Sequence, residues 1–266
     1  MKEISIFNRI VRWTSEGFEI EADPRHVELI LRSLDMDDAK GTTTPGIKID
    51  ESEHDIISLD KMESTAYRSL AARCNYLAAD RIDIQYAVKE LCREMSCPTS
   101  ISWIKLKKLA RYLKAHPRLV MKYKYKDNAG TLNVYSDTDF AGCLKTRRST
   151  SGGCIMRGSH CIKSWATTQA IVALSSGEAE YYGLTKAACL GIGAISLCKD
   201  FHIVLKLIVY TDSSAAKGIV ARRGLGKLRH LDVQVLWLQE RESSVSTYKL
   251  RRYGAKITLE TLVLNI

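Results

Sequence analysis

Two stretches of this chain close in the same way, as Val134-Tyr135-Ser136-Asp137 and as Val209-Tyr210-Thr211-Asp212. Each is an apolar run of strand character that ends on an acid. In an open sheet, ligands collect at the C-terminal ends of the strands. If the two strands are parallel neighbours, the carboxylates of Asp137 and Asp212 stand side by side. Like charges that close are costly unless a cation neutralises them. Carboxylate oxygens are hard ligands, which points to Mg²⁺.

A third carboxylate is expected from the helix that begins near Ser176, within LSSGEAEYYGL. It offers Glu178 and Glu180, which lie about 200° apart around a helix, so only one can face the sheet. Glu180 shares a face with Leu184 and Ala187 and heads towards the sheet. Glu178 belongs at the helix start, behind Ser175 or Ser176. Taken singly, any of these acids reads as a cap or a surface charge. All three at the ends of such elements is a far more specific arrangement.

The rest of the chain frames this pattern. SIFNRIVRW reads as a strand, EGFEIEAD alternates, and PRHVELILRSLDM follows Asp23 as N-cap with Pro24 at the first helical position. Residues 61–126 read as helices. Tyr67, Leu70, Ala71, Cys74 and Leu77 form one stripe, and Ile84, Val88, Leu91 and Met95 form another, with Pro98 as its stop. In SWIKLKKLARYLK, Ile104, Leu109 and Leu113 share a side, with Lys107, Lys108, Arg111 and Lys114 around the other. From residue 131 the order becomes strand, strand, strand, helix, strand, helix, helix, strand. That order predicts an α/β fold with a mixed sheet and helices on its faces. Asp139 reads as a loop residue just past a strand end, and Trp165 and Tyr181 as core aromatics. His230 and Asp232 mark a helix start.

Composition narrows the partners. Lys and Arg number 40 against 30 acids, a net charge of +10, which favours a polyanion. Ile101 to Lys126 holds nine Lys/Arg and no acid, so phosphate contact and a plain solvated face are both open there. Arg147 and Arg148 are further candidates for phosphate. No apolar run approaches the roughly 20 residues needed to span a bilayer. The N-terminus lacks a signal layout. These features lead us to expect a soluble intracellular protein without a membrane partner, cytoplasm and nucleus not being distinguished. No two of the eight cysteines have C-x-x-C spacing, so reduced and mostly buried thiols are expected.

VYSDTDFAGCLKTRRSTSGGCI, SWATTQAIVALSSGEAEYYGL, VYTDSSAAKGI and RHLDVQVLWLQE, in this order, resemble the ribonuclease H domain of copia-type retrotransposon Pol polyproteins. AYRSLAARCNYLAADRIDIQYAVKELCREMSCPT and LKKLARYLK resemble the segment that precedes that domain, and EADPRHVELILRSLDM with TTTPG the tail of the reverse-transcriptase region. The resemblance implies a reverse-transcriptase tail over 1–60, a helical connecting region over 61–126 and a ribonuclease H-like domain over 130–266. It implies a five-stranded mixed sheet with helices on both faces. It also implies hydrolysis of RNA in an RNA–DNA hybrid by two Mg²⁺ ions (Mn²⁺ an alternative), with the upstream reverse transcriptase as a partner. Asp137, Glu180 and Asp212 would be three of four metal-binding acids.

The family's fourth acid is an Asp in a pattern close to Asn-Pro-Ala-Asp, followed soon by Thr-Lys. Here the tail reads AKITLETLVLNI, and by spacing Glu260 falls at that place among unmatched neighbours. Asp37-Asp38 follows a helix, so no polymerase site is expected. A relic that keeps nucleic-acid affinity without cleavage, and an interaction module with no nucleic-acid role, remain alternatives.

Overall fold

A computed structural model describes residues 2–50, 55–125, 129–222, 237–239 and 249–253. The chain divides into two compact units, residues 1–122 and 123–266.

The first unit opens on strands β1 (Lys2–Ile6), β2 (Arg9–Trp13) and β3 (Gly17–Ala22). With β4 (Val120–Lys124) they form a four-stranded sheet in that order. SIFNRIVRW is therefore not one strand. Phe7 and Asn8 both take positive φ and reverse the chain in a two-residue turn, so β1 and β2 pair antiparallel. Such a turn normally announces itself by Asn-Gly or Asp-Gly, and Phe-Asn carries no such signal.

Helices α1 (Arg25–Ser33), α2 (Lys61–Ala78), α3 (Gln85–Arg93) and α4 (Ser100–Ala115) share one core. The Asp23 side chain accepts from Arg25 N at 2.9 Å at the start of α1. Asp60 and Glu63 close a reciprocal capping box on α2. The expected stripe from Tyr67 to Leu77 is buried throughout, and Tyr67 Oη donates to Leu91 O at 2.9 Å. Met95 is partly buried beyond the end of α3. On α4, Leu109 and Leu113 are inside, but Ile104 is exposed; Ile101, Leu106 and Ala110 complete the inner face.

The second unit is built on β5 (Thr131–Asp139), β6 (Thr150–Arg157), β7 (His160–Thr168), β8 (Lys206–Thr211) and β9 (Lys249–Arg252). The sheet order is β7-β6-β5-β8-β9. β5, β6 and β7 run antiparallel in succession, whereas β8 is parallel to β5 and β9 parallel to β8. The mixed five-stranded sheet is thus present. Val134 and Val209, fully buried mid-strand, meet α5 (Ser176–Asp200) and α6 (Ser214–Ala221) in one core. α5 and α6 both lie on that face. The other face carries Tyr135 and Tyr210, stacked with ring centroids 4.8 Å apart. α5 is long and apolar enough to cross a bilayer by length and composition, and here it is the core helix of the sheet.

Gly153 faces Trp165 so closely that a Cβ would fall 2.1 Å from the indole ring, so a small residue on β6 makes the seat for this core aromatic. Tyr181 is fully buried, as expected. All eight cysteines are free, but only Cys74, Cys154 and Cys161 are buried, fewer than the sequence suggested. His230, Asp232 and Glu260 lie outside the described residues.

Candidate metal centre

The site follows from strand register. In the parallel pair β5–β8, Ser136 stands opposite Thr211, which brings the next residues, Asp137 and Asp212, together at the C-terminal strand ends. Asp139 is the last residue of β5 rather than a loop residue, and its Oδ1 accepts from Thr150 N on β6. That bond holds the strand pair together one pleat beyond Asp137.

α5 supplies the third acid. Ser175 caps it by accepting from Glu178 N at 3.2 Å. Glu178 is buried at the helix start, where its carboxylate accepts from Leu174 N at 3.0 Å and Tyr182 Oη at 3.1 Å. Glu180 points the other way, over the sheet edge. Gly183 permits this approach: a Cβ there would sit 2.2 Å from Thr138 Oγ1. One turn before it, Glu180 hangs beside the aspartates.

One oxygen from each of Asp137, Glu180 and Asp212 lies within 4.8 Å of the others. No Lys or Arg forms an ion pair with any of them among the described residues. Burial, then Asp212 and Asp137, push the Glu180 carboxyl up to about 8. Burial and Asp212 also raise Asp137, against a 2.9 Å hydrogen bond from Thr138 N. Among the described residues, Glu180 Oε2 is buried without a hydrogen-bond partner. A buried, unpaired oxygen between two like charges is what a hard divalent cation would satisfy, so the residues present fit such an ion.

Supporting polar residues escaped the sequence reading. Tyr253, just past β9, donates from Oη to Ser136 O at 3.1 Å, and its N–H donates to Thr211 O at 3.1 Å. It spans the two strand ends that carry the aspartates. Burial and the three acids raise its phenol. Gln169 Nε2 donates to Ser151 Oγ at 2.9 Å and to Ala179 O at 2.8 Å, tying β6 to the first turn of α5. A tyrosine after a strand and a glutamine after another carry no pattern that marks them from sequence alone.

The basic candidates fall in two places. Among those on α4, Lys108 Nζ donates to Thr42 Oγ1 at 2.6 Å, Arg111 Nε to Lys40 O at 2.7 Å, and Lys114 Nζ to Asp37 O. Three of the four therefore hold the 37–42 segment, while Lys107 is exposed. Arg147 and Arg148 are exposed in the turn between β5 and β6, where Arg147 takes a φ of 54° and its N–H donates to Cys143 O at 2.7 Å.

A mixed sheet of this order, with carboxylates at the ends of its two central parallel strands and on the first helix after the antiparallel trio, defines a ribonuclease H-like α/β domain. By sequence, the chain belongs to the family of copia-type retrotransposon Pol polyproteins. It is 33% identical over 181 residues to the uncharacterized mitochondrial protein AtMg00810 of Arabidopsis thaliana, covering 65% of this chain and 74% of that one. It is 34% identical over 161 residues to the retrovirus-related Pol polyprotein from transposon RE2 of the same plant, covering 60% of this chain. It spans only 11% of that polyprotein's length. Among solved structures, LC11 ribonuclease H1 in complex with an RNA/DNA hybrid is similar with a TM-score of 0.31 and 13% identity, over 47% of this chain and 87% of that one. No protein-family model matches the chain.

Proposed function

We propose that this chain carries the ribonuclease H portion of a retrotransposon Pol protein and hydrolyses the RNA strand of RNA–DNA hybrids. The observation that supports this reading is the meeting of Asp137, Glu180 and Asp212 within 4.8 Å, with no basic partner among the described residues. These three would hold Mg²⁺, in a two-ion arrangement, with Mn²⁺ as an alternative. Bound there, such ions supply an activated water and neutralise the leaving oxygen of a phosphodiester. The protein's part is to hold the carboxylates at fixed positions. Strand register sets the aspartates, Gly183 sets the depth of Glu180, and Tyr253 and Gln169 brace the elements that carry them. Without a cation, the trio keeps a proton on Glu180 up to about pH 8. A cation held by the three acids would need the Glu180 carboxyl in its ionised form.

The hybrid would be held through phosphates and 2′-hydroxyls, because the reaction must proceed at many sequences. Arg147, Arg148, Lys107 and the unused donors of Lys108, Arg111 and Lys114 are the proposed phosphate contacts. The reverse-transcriptase region of the same polyprotein is the proposed covalent partner upstream. Glu260 is the proposed fourth acid. The test is incubation of the protein with end-labelled hybrid and Mg²⁺ beside an Asp137→Asn variant. Metal-dependent RNA cleavage by the parent alone is the expected result, and an inert parent sinks the activity.

The tail after Tyr253, which departs from the family pattern, favours a second reading: a relic that binds hybrid and does not cut it. Salt-dependent binding by the parent without cleavage in either metal would select the relic. Restoring an Asp-bearing tail should then rescue cleavage.

A further inference from the structure

The strand beyond β8 ends on a cation beside the acids. Arg252, the last residue of β9, pairs with Thr211, the residue before Asp212. Alternation along β9 sends Leu250 and Arg252 to one face and Arg251 to the other. Leu250 packs into the core shared with α5 and α6, so Arg252 stands on that face, at its exposed end. Its Nε donates to the main-chain O of Asp212 at 3.0 Å. The backbone behind it is fixed as well. The next residue, Tyr253, is buried, with its N–H on Thr211 O and its Oη on Ser136 O, both at 3.1 Å.

The main-chain oxygen of Asp212 and its carboxylate are joined through five bonds, a span of at most about 5 Å, so Nε stays within about 8 Å of that acid. Yet Arg252 forms no ion pair among the described residues. An arginine free to move in this neighbourhood would close on the carboxylates, because opposite charges attract most at contact. The Asp212 carbonyl diverts it by engaging Nε. The far edge of the guanidinium is left over: Nη1 and Nη2, four N–H donors in a planar fork that fits a phosphate bidentately. Pinning at Nε sets the fork before a ligand arrives and reduces the ordering that binding requires. Along one strand of a duplex the charges follow at about 3.4 Å of axis. With one phosphate seated on the acids, its neighbour on the same strand falls within reach of the fork.

We infer that Arg252 is a nucleic-acid contact, whose Nη1–Nη2 edge holds the backbone phosphate next to the one seated on Asp137, Glu180 and Asp212. The inference rests on the function proposed above.

The test compares the full-length parent with Arg252→Gln and Arg251→Gln, which each remove one charge from adjacent positions on opposite faces of β9. Affinity for an end-labelled RNA–DNA hybrid is measured against salt, with metal omitted. Arg252→Gln should weaken binding several-fold and reduce the slope of log affinity against log salt by about 0.7–0.9, as one lost phosphate contact requires. Arg251→Gln should stay close to the parent. Arg252→Lys, which keeps the charge without the fork, should recover the slope and only part of the affinity. Titration with Mn²⁺ alone should give the same affinity in the parent and in Arg252→Gln. Parental affinity and slope in Arg252→Gln overturn the contact and leave the proposed function standing. Equal losses in the two Gln variants assign the effect to overall charge and also overturn it. Weaker Mn²⁺ binding with unchanged hybrid affinity makes Arg252 a brace for Asp212 and nothing more. A parent that binds no hybrid overturns contact and function together. A parent that binds hybrid, weakens in Arg252→Gln alone and cuts nothing supports the contact and overturns only the cleavage. Should Arg252→Gln fail to fold, the loss of affinity in Arg252→Lys carries the comparison.

Discussion

The choice between two glutamates two residues apart decides the centre. Helical facing separates them in the sequence, and the structure places Glu178 in a cap and Glu180 beside the aspartates. A carboxyl whose pKa rises on folding binds its proton more tightly in the folded chain. Its contribution favours folding fully below its unfolded value near 4.5 and is lost as pH climbs through about 8. Metal-free protein should therefore lose thermal stability between pH 5 and 8, and Glu180→Gln should flatten that decline. Added Mg²⁺ should raise Tm more at pH 8 than at pH 5 in the parent and little in the variant; equal shifts at both pH values would refute this. Gly183 makes a companion case. Gly183→Val puts a branched side chain against Thr138 and should cost about 1–3 kcal/mol, read by urea denaturation, together with weaker metal binding. A glycine inside a helix hints at close packing, but its partner on β5 emerges only in three dimensions.

At the scale of elements, the residue patterns revealed most of the second unit. Strand alternation and the continuous apolar run before Asp212 outlined β5 to β8, because those elements bury one face or both. Less was legible where local chemistry is atypical. The β1–β2 turn lacks glycine, and Ile104, five and nine residues before Leu109 and Leu113, lies about 140° and 180° from them around α4 and so falls outside the core. Phe7→Asn with Asn8→Gly should stabilise that hairpin by about 0.5–1 kcal/mol, seen as a higher midpoint in denaturant. Gln169 joins β6 to α5 beside Glu180 and acts as a positioning residue. Gln169→Ala should raise the Mg²⁺ concentration for half-maximal activity several-fold, with turnover at saturating metal largely kept. A direct titration with Mn²⁺ should report the same weakening. Loss of turnover at all metal concentrations, with metal affinity intact, would contradict a positioning role.

At the scale of the molecule, the chain comprises two compact units, each with its own sheet and core. Residues 123–266 made alone should show cooperative thermal unfolding and retain the Mg²⁺-linked gain in Tm. A molten far-UV signal without a transition would refute their independence. The basic stretch of α4 was legible as charge but not as its use. Three of its cations spend donors on the 37–42 backbone and Thr42, a tertiary arrangement that no run of lysines announces. The polar residues around the acids stayed hidden for a related reason, since each comes from a different strand or helix.

The crowding of Asp137, Glu180 and Asp212 also bears on the history of the chain. Lacking a cation, this trio works against the fold, so a copy drifting free of selection for its chemistry would gain stability by losing any one member. A neutral amide at any of the three positions would be the favoured first step of decay. In this chain all three acids are present, on β5, on α5 and just past β8, with an oxygen of each within 4.8 Å of the others.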